Sequence, residues 1–148
     1  MKKTLIVGTV AFDEIETPQE NSGKILGGAA TYIGLSSALF NSKASIISIV
    51  GGDFDQKDLD LLKSKGLNTD SIEIISKGKT FYWKGKYHND WNKRDTLSTQ
   101  LNVLAEFSPL VPEEFKNAEI VVLGNLHPLV QTSVLNQITT KPRCIILD

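Results

Sequence analysis

Two polar side chains that could bind a ligand follow apolar runs of this sequence. Asp13 comes a few residues after the first run, and Asn125 directly follows a later run that ends at Gly124. A carboxylate accepts hydrogen bonds from neighbouring hydroxyls, and an amide offers both a donor and an acceptor. Both residue types therefore suit recognition of a sugar or another polyol. Asp13 could instead be a solvated loop acid that binds nothing. His127, two residues after Asn125, either contacts a ligand or starts a helix.

A pair of glycines, Gly27 and Gly28, directly precedes the small, apolar segment 29–40. Glycines allow the backbone to approach a ligand closely, and the free N–H groups at a helix N-terminus favour oxygen-rich or anionic groups. A turn that only needs a positive φ explains the pair equally well. The later segment 51–53, Gly-Gly-Asp, is better explained as a tight turn between a strand and a helix.

Several other kinds of site are missing from the sequence. Residues 7–13 contain a single glycine, so the dinucleotide-binding fingerprint is absent, as is the Gly-rich phosphate loop that ends in Lys-Ser or Lys-Thr. His88 and His127 lack metal-ligand spacing. The single Cys144 excludes an internal disulfide, and its apolar surroundings predict an inert core thiol.

The composition is that of an ordinary soluble domain. The chain has 148 residues, of which 41% are hydrophobic and 22% charged. A net charge of −1 without a basic tract predicts no binding to nucleic acid or to anionic lipid. No apolar stretch approaches the roughly 18 residues of a membrane span, and no secretory cleavage site follows the first strand. The cytoplasm is the expected compartment.

The order of apolar runs predicts an α/β fold. Continuous β-branched runs are typical of parallel strands buried on both faces, and we expect such strands at 4–8, 44–51, 119–124 and 144–148. Helices are expected at 29–40, at 55–65 and from Pro128 onwards, the first of them well buried because it is apolar nearly all round. Asp55 is the expected N-cap of the second helix, and Gly66 its left-handed C-cap. Alternating strands and helices indicate a parallel sheet between two helical layers.

Two segments interrupt this rhythm. Residues 13–25 are polar and too short for a helical crossover. Within 71–103, aromatic residues such as Trp83 and Tyr87 alternate with polar ones, which is typical of strands with one wetter face. We expect a small antiparallel sheet that projects as a flap, as a dimer surface, or as both. Trp83 and Tyr87 can stack on a sugar ring or nucleobase, or pack the flap or a partner subunit.

Taken in order, these motifs resemble the ribokinase-like (PfkB) carbohydrate kinases. Residues 27–32, Gly-Gly-Ala-Ala-Thr-Tyr, resemble the first signature of that family. Residues 50–54 with 66–69 resemble its Val-Gly-x-Asp, helix, Gly-Val-x-Thr stretch, which leads into a β lid. The lid segment 79–103 and the segment 124–128 look like a bacterial branch of unassigned sugar kinases. The resemblance covers essentially the whole chain and is specific in combination.

The resemblance implies a three-layer α/β/α fold and an enzyme that transfers the γ-phosphoryl group of ATP, with Mg²⁺, to a hydroxymethyl group of a sugar or nucleoside. Asp13 matches the acid that binds substrate hydroxyls, and Gly27 and Gly28 match the glycines that lie against the sugar. Asn125 falls where a polar residue contacts the substrate. Thr31 is the fifth expected substrate-binding residue, and Trp83, Tyr87 and Asn102 are the expected lid residues. In such kinases the lid often pairs two subunits, so a homodimer through the lid is also expected.

Two departures from the family pattern matter. Thr31 and Tyr32 occupy the neighbourhood of a usual asparagine. The Gly-Ala-Gly-Asp motif is absent, and with it the catalytic base and the anion hole on which phosphoryl transfer depends. In the family that motif belongs to the second half of a chain about twice as long. Residues 1–148 are thus expected to be a truncated, N-terminal half of a kinase domain, with lid segments at about 13–26 and 71–104.

Such a piece would hold a substrate half-site but no catalytic residue, metal site or bound ATP, and we expect no kinase activity from it alone. Two other functions fit the same residues. One is a non-catalytic α/β protein that binds a polyol or dimerises through its flap. The other is a different α/β enzyme that completes its site from a partner chain.

Overall fold

The computed structural model describes residues 3–40 and 43–148. Within these ranges the main sheet has five strands, and every neighbouring pair in it is parallel. The strands are β1 (Lys3–Val7), β4 (Lys43–Gly51), β5 (Ile72–Ile75), β8 (Ile120–Leu123) and β9 (Cys144–Leu147). Their spatial order is β5–β4–β1–β8–β9. The apolar runs therefore form a parallel sheet as expected.

Helices cover both faces of this sheet. They are α1 (Ala29–Ala38), α2 (Gln56–Ser64) and α3 (Pro128–Leu135), with short 3-10 helices at Asn102–Glu106 and Glu113–Phe115. Ile6 of β1 packs in a core with Ala30 and Leu62, which belong to α1 and α2. Its neighbours Leu5 and Val7 pack in a second core, on the side of α3 and the 3-10 helices. Because successive strand residues point to opposite faces, this burial confirms the three-layer arrangement.

The helix termini follow from local sequence. Asp55 caps α2 by accepting a hydrogen bond from the Lys57 N–H at 3.0 Å. Gly66 follows α2 with φ 84°, and Leu67 is buried behind it, as a left-handed C-cap requires. His127 caps α3, where its Nδ1 accepts from the Leu129 N–H at 3.2 Å. His127 therefore starts a helix.

A separate four-stranded sheet forms the lid. Its strands are β2 (Ala11–Glu16), β3 (Asn21–Gly27), β6 (Tyr82–Tyr87) and β7 (Arg94–Gln100), in the order β3–β2–β6–β7. The two hairpins, β2–β3 and β6–β7, are antiparallel. They meet through the parallel pair β2–β6, so the expectation of an antiparallel sheet throughout is wrong at this joint. The reason is that β2 and β6 come from separate excursions that leave the main layer in the same direction.

Three further expectations need correction. Residues 72–75 fall inside the expected lid segment but form β5, because their apolar run pairs with β4. All four residues of β9 are exposed, including Cys144, since this edge strand receives little cover from the described residues. Helix α1 buries Ala30, Thr31 and Gly34 only, and Tyr32 is 54% exposed, because the helix packs through one face. Within the described ranges, no helix is long and apolar enough to cross a membrane.

Candidate functional site

A cavity of about 380 Å³ lies between the lid and the carboxyl ends of β1 and β8. In open α/β sheets, ligands bind outside the carboxyl ends of the strands. The cavity lining includes Asp13, Gly28, Asn125, Trp83 and Tyr87. The structure thus brings together five residues that the sequence singled out separately.

The polar end of the cavity is organised by Thr9, which follows β1. Its hydroxyl donates to Asn125 Oδ1 at 2.9 Å and accepts from the Ala29 N–H at 3.0 Å. Its carbonyl accepts from the Ala30 N–H at 2.9 Å. With its amide oxygen engaged, Asn125 retains its amide NH₂ as a donor. Sequence reasoning missed Thr9, although its position at the carboxyl edge of a buried strand was the available signal.

Asp13 lies on β2 and faces the same end of the cavity. Its Oδ2 accepts from the Gly28 N–H at 3.4 Å. Burial raises the pKa of the Asp13 carboxyl above its ordinary value, and the hydrogen bond from Gly28 opposes this shift. The carboxyl group is therefore partly desolvated while most of its acceptor capacity remains unused. Such a group is suited to accept hydrogen bonds from ligand hydroxyls.

The two glycines combine both roles that the sequence left open. Gly28 has φ 94°, and a Cβ there would run into the carbonyl of Thr9, so the turn requires glycine. A Cβ on Gly27 would run into the Asp13 carboxyl group. Gly28 lines the cavity, whereas Gly27 makes room for the side chain that does.

Besides Gly27, two further expected site residues lie outside the cavity lining. Thr31 is fully buried, and its hydroxyl donates to the Gly27 carbonyl at 2.7 Å, so it holds the glycine turn from behind. Asn102 lies at the root of the lid, where its amide donates to the Thr80 carbonyl at 2.8 Å. Tyr32, in contrast, lines the cavity, and its hydroxyl donates to the Leu26 carbonyl at 3.1 Å.

The lid side of the cavity is aromatic along β6, where Trp83 is the register partner of Asp13 on β2. The Trp83 indole lies against Gly85, where any Cβ would strike the ring, and its Nε1 donates to Thr96 Oγ1 at 3.4 Å. The guanidinium of Arg94 lies 5.2 Å from the centre of this ring. Phe81 and Tyr87 line the same side. Sequence reasoning missed Arg94, because the hairpin pairing that brings it beside Tyr87 is not visible in a pattern.

The outer face of the lid is a solvated ion-pair ladder. Glu14 pairs with Lys84 at 2.8 Å and accepts from the Tyr82 hydroxyl at 2.7 Å, and Glu16 pairs with Lys86 at 2.8 Å. The hydrogen bond from Lys84, followed by that from Tyr82, lowers the pKa of Glu14 to about 2. Period-two alternation thus places Glu14, Tyr82 and Lys84 on this face, and Asp13 and Trp83 on the cavity face.

The root of the lid is tied to the main sheet through Thr80. Asp53 Oδ1 accepts from the Thr80 N–H at 2.7 Å and from its hydroxyl at 2.8 Å. The same hydroxyl accepts from the Gly51 N–H at 2.9 Å. The Gly51–Asp53 turn thus anchors the strand that carries Trp83.

The described residues do not form a nucleotide or metal site. In the ranges 3–40 and 43–148, no group of three or more His, Cys, Asp or Glu side chains is placed to hold a metal ion. The chain also lacks a Gly-rich phosphate loop. The described ranges thus hold neither such a metal-binding cluster for Mg²⁺ nor such a loop for the phosphates of ATP.

Comparison with known proteins gives relatives among nucleoside kinases. No protein-family model matches the chain. It is 26% identical to a cytidine kinase of Thermococcus kodakarensis over 142 residues, which cover 95% of this chain and 50% of that protein. The solved nucleoside kinase of Burkholderia thailandensis in complex with inosine matches 98% of this chain and 52% of its own, with 19% identity and a TM-score of 0.81. A second complex of that kinase, with ADP-inosine, gives a TM-score of 0.78.

A third similar structure is the nucleoside kinase of Methanocaldococcus jannaschii, an archaeal member of the ribokinase family. It matches 100% of this chain and 52% of its own, with 21% identity and a TM-score of 0.74. These likenesses show that the chain has the ribokinase-like fold. It spans about half the length of the cytidine kinase and of both solved kinases.

Proposed function

We propose that this chain carries the substrate-binding part of an ATP-dependent nucleoside kinase, which phosphorylates the hydroxymethyl group of the ribose. The observation that carries the proposal is the mixed lining of the cavity, in which hydroxyl-binding groups and aromatic side chains face the same space. One sequence relative is a cytidine kinase, and a structural neighbour binds inosine, so nucleosides are ligands of similar proteins.

The polar end suits a ribose ring. The Asp13 carboxylate can accept hydrogen bonds from two neighbouring hydroxyls, and the free NH₂ of Asn125 can donate to a third oxygen. Gly28 allows the ring to approach the start of α1, because no side chain projects there. These groups bind and orient the sugar.

The aromatic side favours a nucleoside over a free sugar. Trp83, Tyr87 and Phe81 provide apolar surface that a free pentose or hexose would leave unused. A planar base gains about 1–3 kcal/mol when it stacks on an aromatic side chain. We therefore assign the base to the lid side of the cavity and the ribose to the sheet side.

We assign the catalytic base and the binding of ATP and Mg²⁺ to polypeptide other than these 148 residues, in an extension of this chain or in a second chain. An apolar hollow of about 610 Å³ supports this division. It lies between α1 and the strands β8 and β9, and its lining includes Tyr32, Phe40 and Ile146. ATP supplies the phosphoryl group when bound, and the residues of this chain hold the acceptor.

A second copy of the chain is the proposed partner of the lid. Strand β7 is an edge of the lid sheet, and Trp91 and Leu97 on this hairpin are 65% and 49% exposed. Sedimentation equilibrium should give a dimer that Leu97→Lys weakens, whereas Leu39→Lys, directly after α1, should not change it. A monomer at all concentrations contradicts this part of the proposal.

Isothermal titration of the full chain with cytidine, inosine, ribose and glucose tests the substrate class. We expect both nucleosides to bind at least roughly tenfold more tightly than ribose, and Trp83→Ala to remove this advantage without changing ribose affinity. Equal affinity for ribose and nucleosides contradicts the nucleoside assignment, and absence of any binding contradicts the site.

A nucleoside-dependent ATP assay tests the division of labour. The 148-residue chain alone should form no nucleoside monophosphate, and turnover by it would contradict the assignment of catalysis to other polypeptide. The competing function is a non-catalytic nucleoside-binding protein, which the same cavity would serve without a phosphoryl donor. A coding sequence that continues past codon 148 into a Gly-Ala-Gly-Asp motif supports the kinase, and a stop codon there supports the binding protein.

A further inference from the structure

Arg94 is a charged residue of the cavity that ribose binding does not use. It begins β7, lines the aromatic side, and lies with its guanidinium 5.2 Å from the centre of the Trp83 ring. Its side chain forms no hydrogen bond or ion pair with any residue in the ranges 3–40 and 43–148. Its two neighbours in sequence do have side-chain partners. Lys93 Nζ lies 3.9 Å from Asp90 Oδ2, and Asp95 Oδ2 lies 2.8 Å from His88 Nε2. Arg94 alone in this run keeps its donors for a ligand.

The position of Arg94 is set by rigid parts of the lid. The Trp83 indole is confined between Gly85 and the Thr96 hydroxyl, so the surface that the guanidinium contacts is itself fixed. The pairing of Arg94 with Tyr87 across β6 and β7 sets its backbone. A guanidinium held in this way loses less freedom when it binds a ligand, since its planar fork is already arranged.

We propose that Arg94 determines base specificity and selects nucleosides whose base presents two adjacent hydrogen-bond acceptors. This inference rests on the proposed nucleoside-binding function. Arginine donates two parallel N–H bonds to such an edge, as it does to the O6 and N7 atoms of guanine. Hypoxanthine offers the same pair, and cytosine offers O2 and N3.

Adenine and uracil lack this arrangement. Adenine places its amino donor beside N7, and uracil separates its two carbonyl oxygens by an N–H donor. Either base would leave one Arg94 donor facing another donor or no partner. In the described residues, Asp13 is the one acidic side chain that lines the cavity. Its carboxyl group accepts from the Gly28 N–H and forms no ion pair with Arg94, so the guanidinium donors stay available to the base.

Calorimetric titration of the full chain with cytidine, inosine, guanosine, adenosine and uridine tests the inference. We expect the first three to bind more tightly than adenosine and uridine by roughly fivefold or more. Arg94→Gln should weaken binding of the first three by a similar factor and leave adenosine and uridine unchanged. Arg94→Lys keeps the charge but not the fork, so it should lose the same preference. Lys93→Gln removes a neighbouring positive charge outside the cavity and should change no affinity.

Any one of five outcomes overturns the inference. Equal loss for all five nucleosides in Arg94→Gln would mean that Arg94 only supports the lid. If Arg94→Lys keeps the full base preference, the site recognises positive charge and not a pair of acceptors on the base. If ribose 5-phosphate binds more tightly than ribose, and Arg94→Gln abolishes the difference, Arg94 binds a phosphate instead. Binding of all five nucleosides without preference removes the role of Arg94 but keeps the nucleoside site, whereas failure of every nucleoside to bind removes the proposed function as well.

Discussion

Replacing Asp13 with asparagine separates ligand binding from folding. The substitution preserves shape and one carbonyl oxygen, which can still accept from the Gly28 N–H now seen at 3.4 Å. It removes the negative charge and turns the second acceptor into a donor. A ligand diol that donates to both carboxylate oxygens would therefore lose one hydrogen bond and the charge assistance of the other.

The expected loss follows from the strength of hydrogen bonds to charged groups, which contribute about 1.5–3 kcal/mol each. Loss of one such bond and weakening of the other gives about 2–3 kcal/mol. This corresponds to a dissociation constant that rises about 30- to 150-fold. Titration of cytidine or inosine into the full chain measures it directly. Asp70→Asn, on the exposed surface outside the cavity, is the matched control and should leave the dissociation constant unchanged.

The effect on stability should be absent or favourable. Burial raises the pKa of Asp13 in the folded protein, so the folded state binds this proton more tightly than the unfolded state does. The contribution of this group to stability is present at low pH and is lost as pH rises through the raised pKa. At neutral pH the ionised carboxyl is thus a cost to folding, and asparagine removes it. Ligand affinity should decline as pH falls through the same raised pKa, and Asp13→Asn should abolish that decline.

The reasoning is refuted if Asp13→Asn unfolds at a lower temperature than the wild-type chain at neutral pH, because Asp13 would then support the fold. It is also refuted if the variant binds nucleosides as tightly as the wild type. Thermal unfolding followed by circular dichroism, with and without nucleoside, distinguishes these results.

Three other substitutions probe the parts that position the cavity. Gly27→Ala places a methyl group against the Asp13 carboxyl group and should displace it. Nucleoside affinity measured by calorimetry should then fall roughly tenfold, because about one charged hydrogen bond to the ligand is lost. Unchanged affinity would show that Asp13 can move without weakening binding. Thr80→Val removes the hydroxyl that donates to Asp53 and leaves the buried Gly51 N–H without a partner, which costs about 1–3 kcal/mol. Thermal unfolding should therefore occur several degrees lower, and amide exchange in β6 should accelerate; unchanged exchange contradicts an anchoring role. The pKa of Glu14 is lowered to about 2, so the contribution of Glu14 to stability is complete above pH 4.5, the ordinary pKa, and is lost as pH falls from there towards 2. Glu14→Gln should therefore reduce the loss of stability at acid pH in a pH–stability profile. An unchanged profile would mean that other carboxyl groups cause that loss.

Local patterns predicted much of the fold. The β-branched run at 44–51 became β4 almost residue for residue, and the Asp55 and Gly66 signals bounded α2 correctly, since capping depends on neighbours in sequence. The parallel joint between β2 and β6 was not predictable in the same way. It pairs Asp13 with Trp83 across about 70 residues of sequence, and a period-two pattern carries no information on the partner of a strand.

The same distinction explains the outcome for the site. Asp13, Gly28 and Asn125 were found because a polar or flexible residue directly after a buried strand, or before a helix, is visible in the sequence. Arg94 was missed because its role arises only when distant segments meet, whereas Thr9 was missed although its position just after a buried strand is visible in the sequence.

Both errors in predicted burial are overestimates. Residues 29–40 and 144–147 carry enough apolar side chains to be buried on all sides, yet Phe40 and Ile146 are exposed around one hollow. An apolar pattern shows which side chains are suited to burial, whereas their actual burial depends on whether another element covers them. The lining of the candidate site, in contrast, comes from α1, the strand ends and the lid, all within the described residues. If the proposed function holds, a change at the hollow should alter assembly or turnover while leaving nucleoside affinity intact.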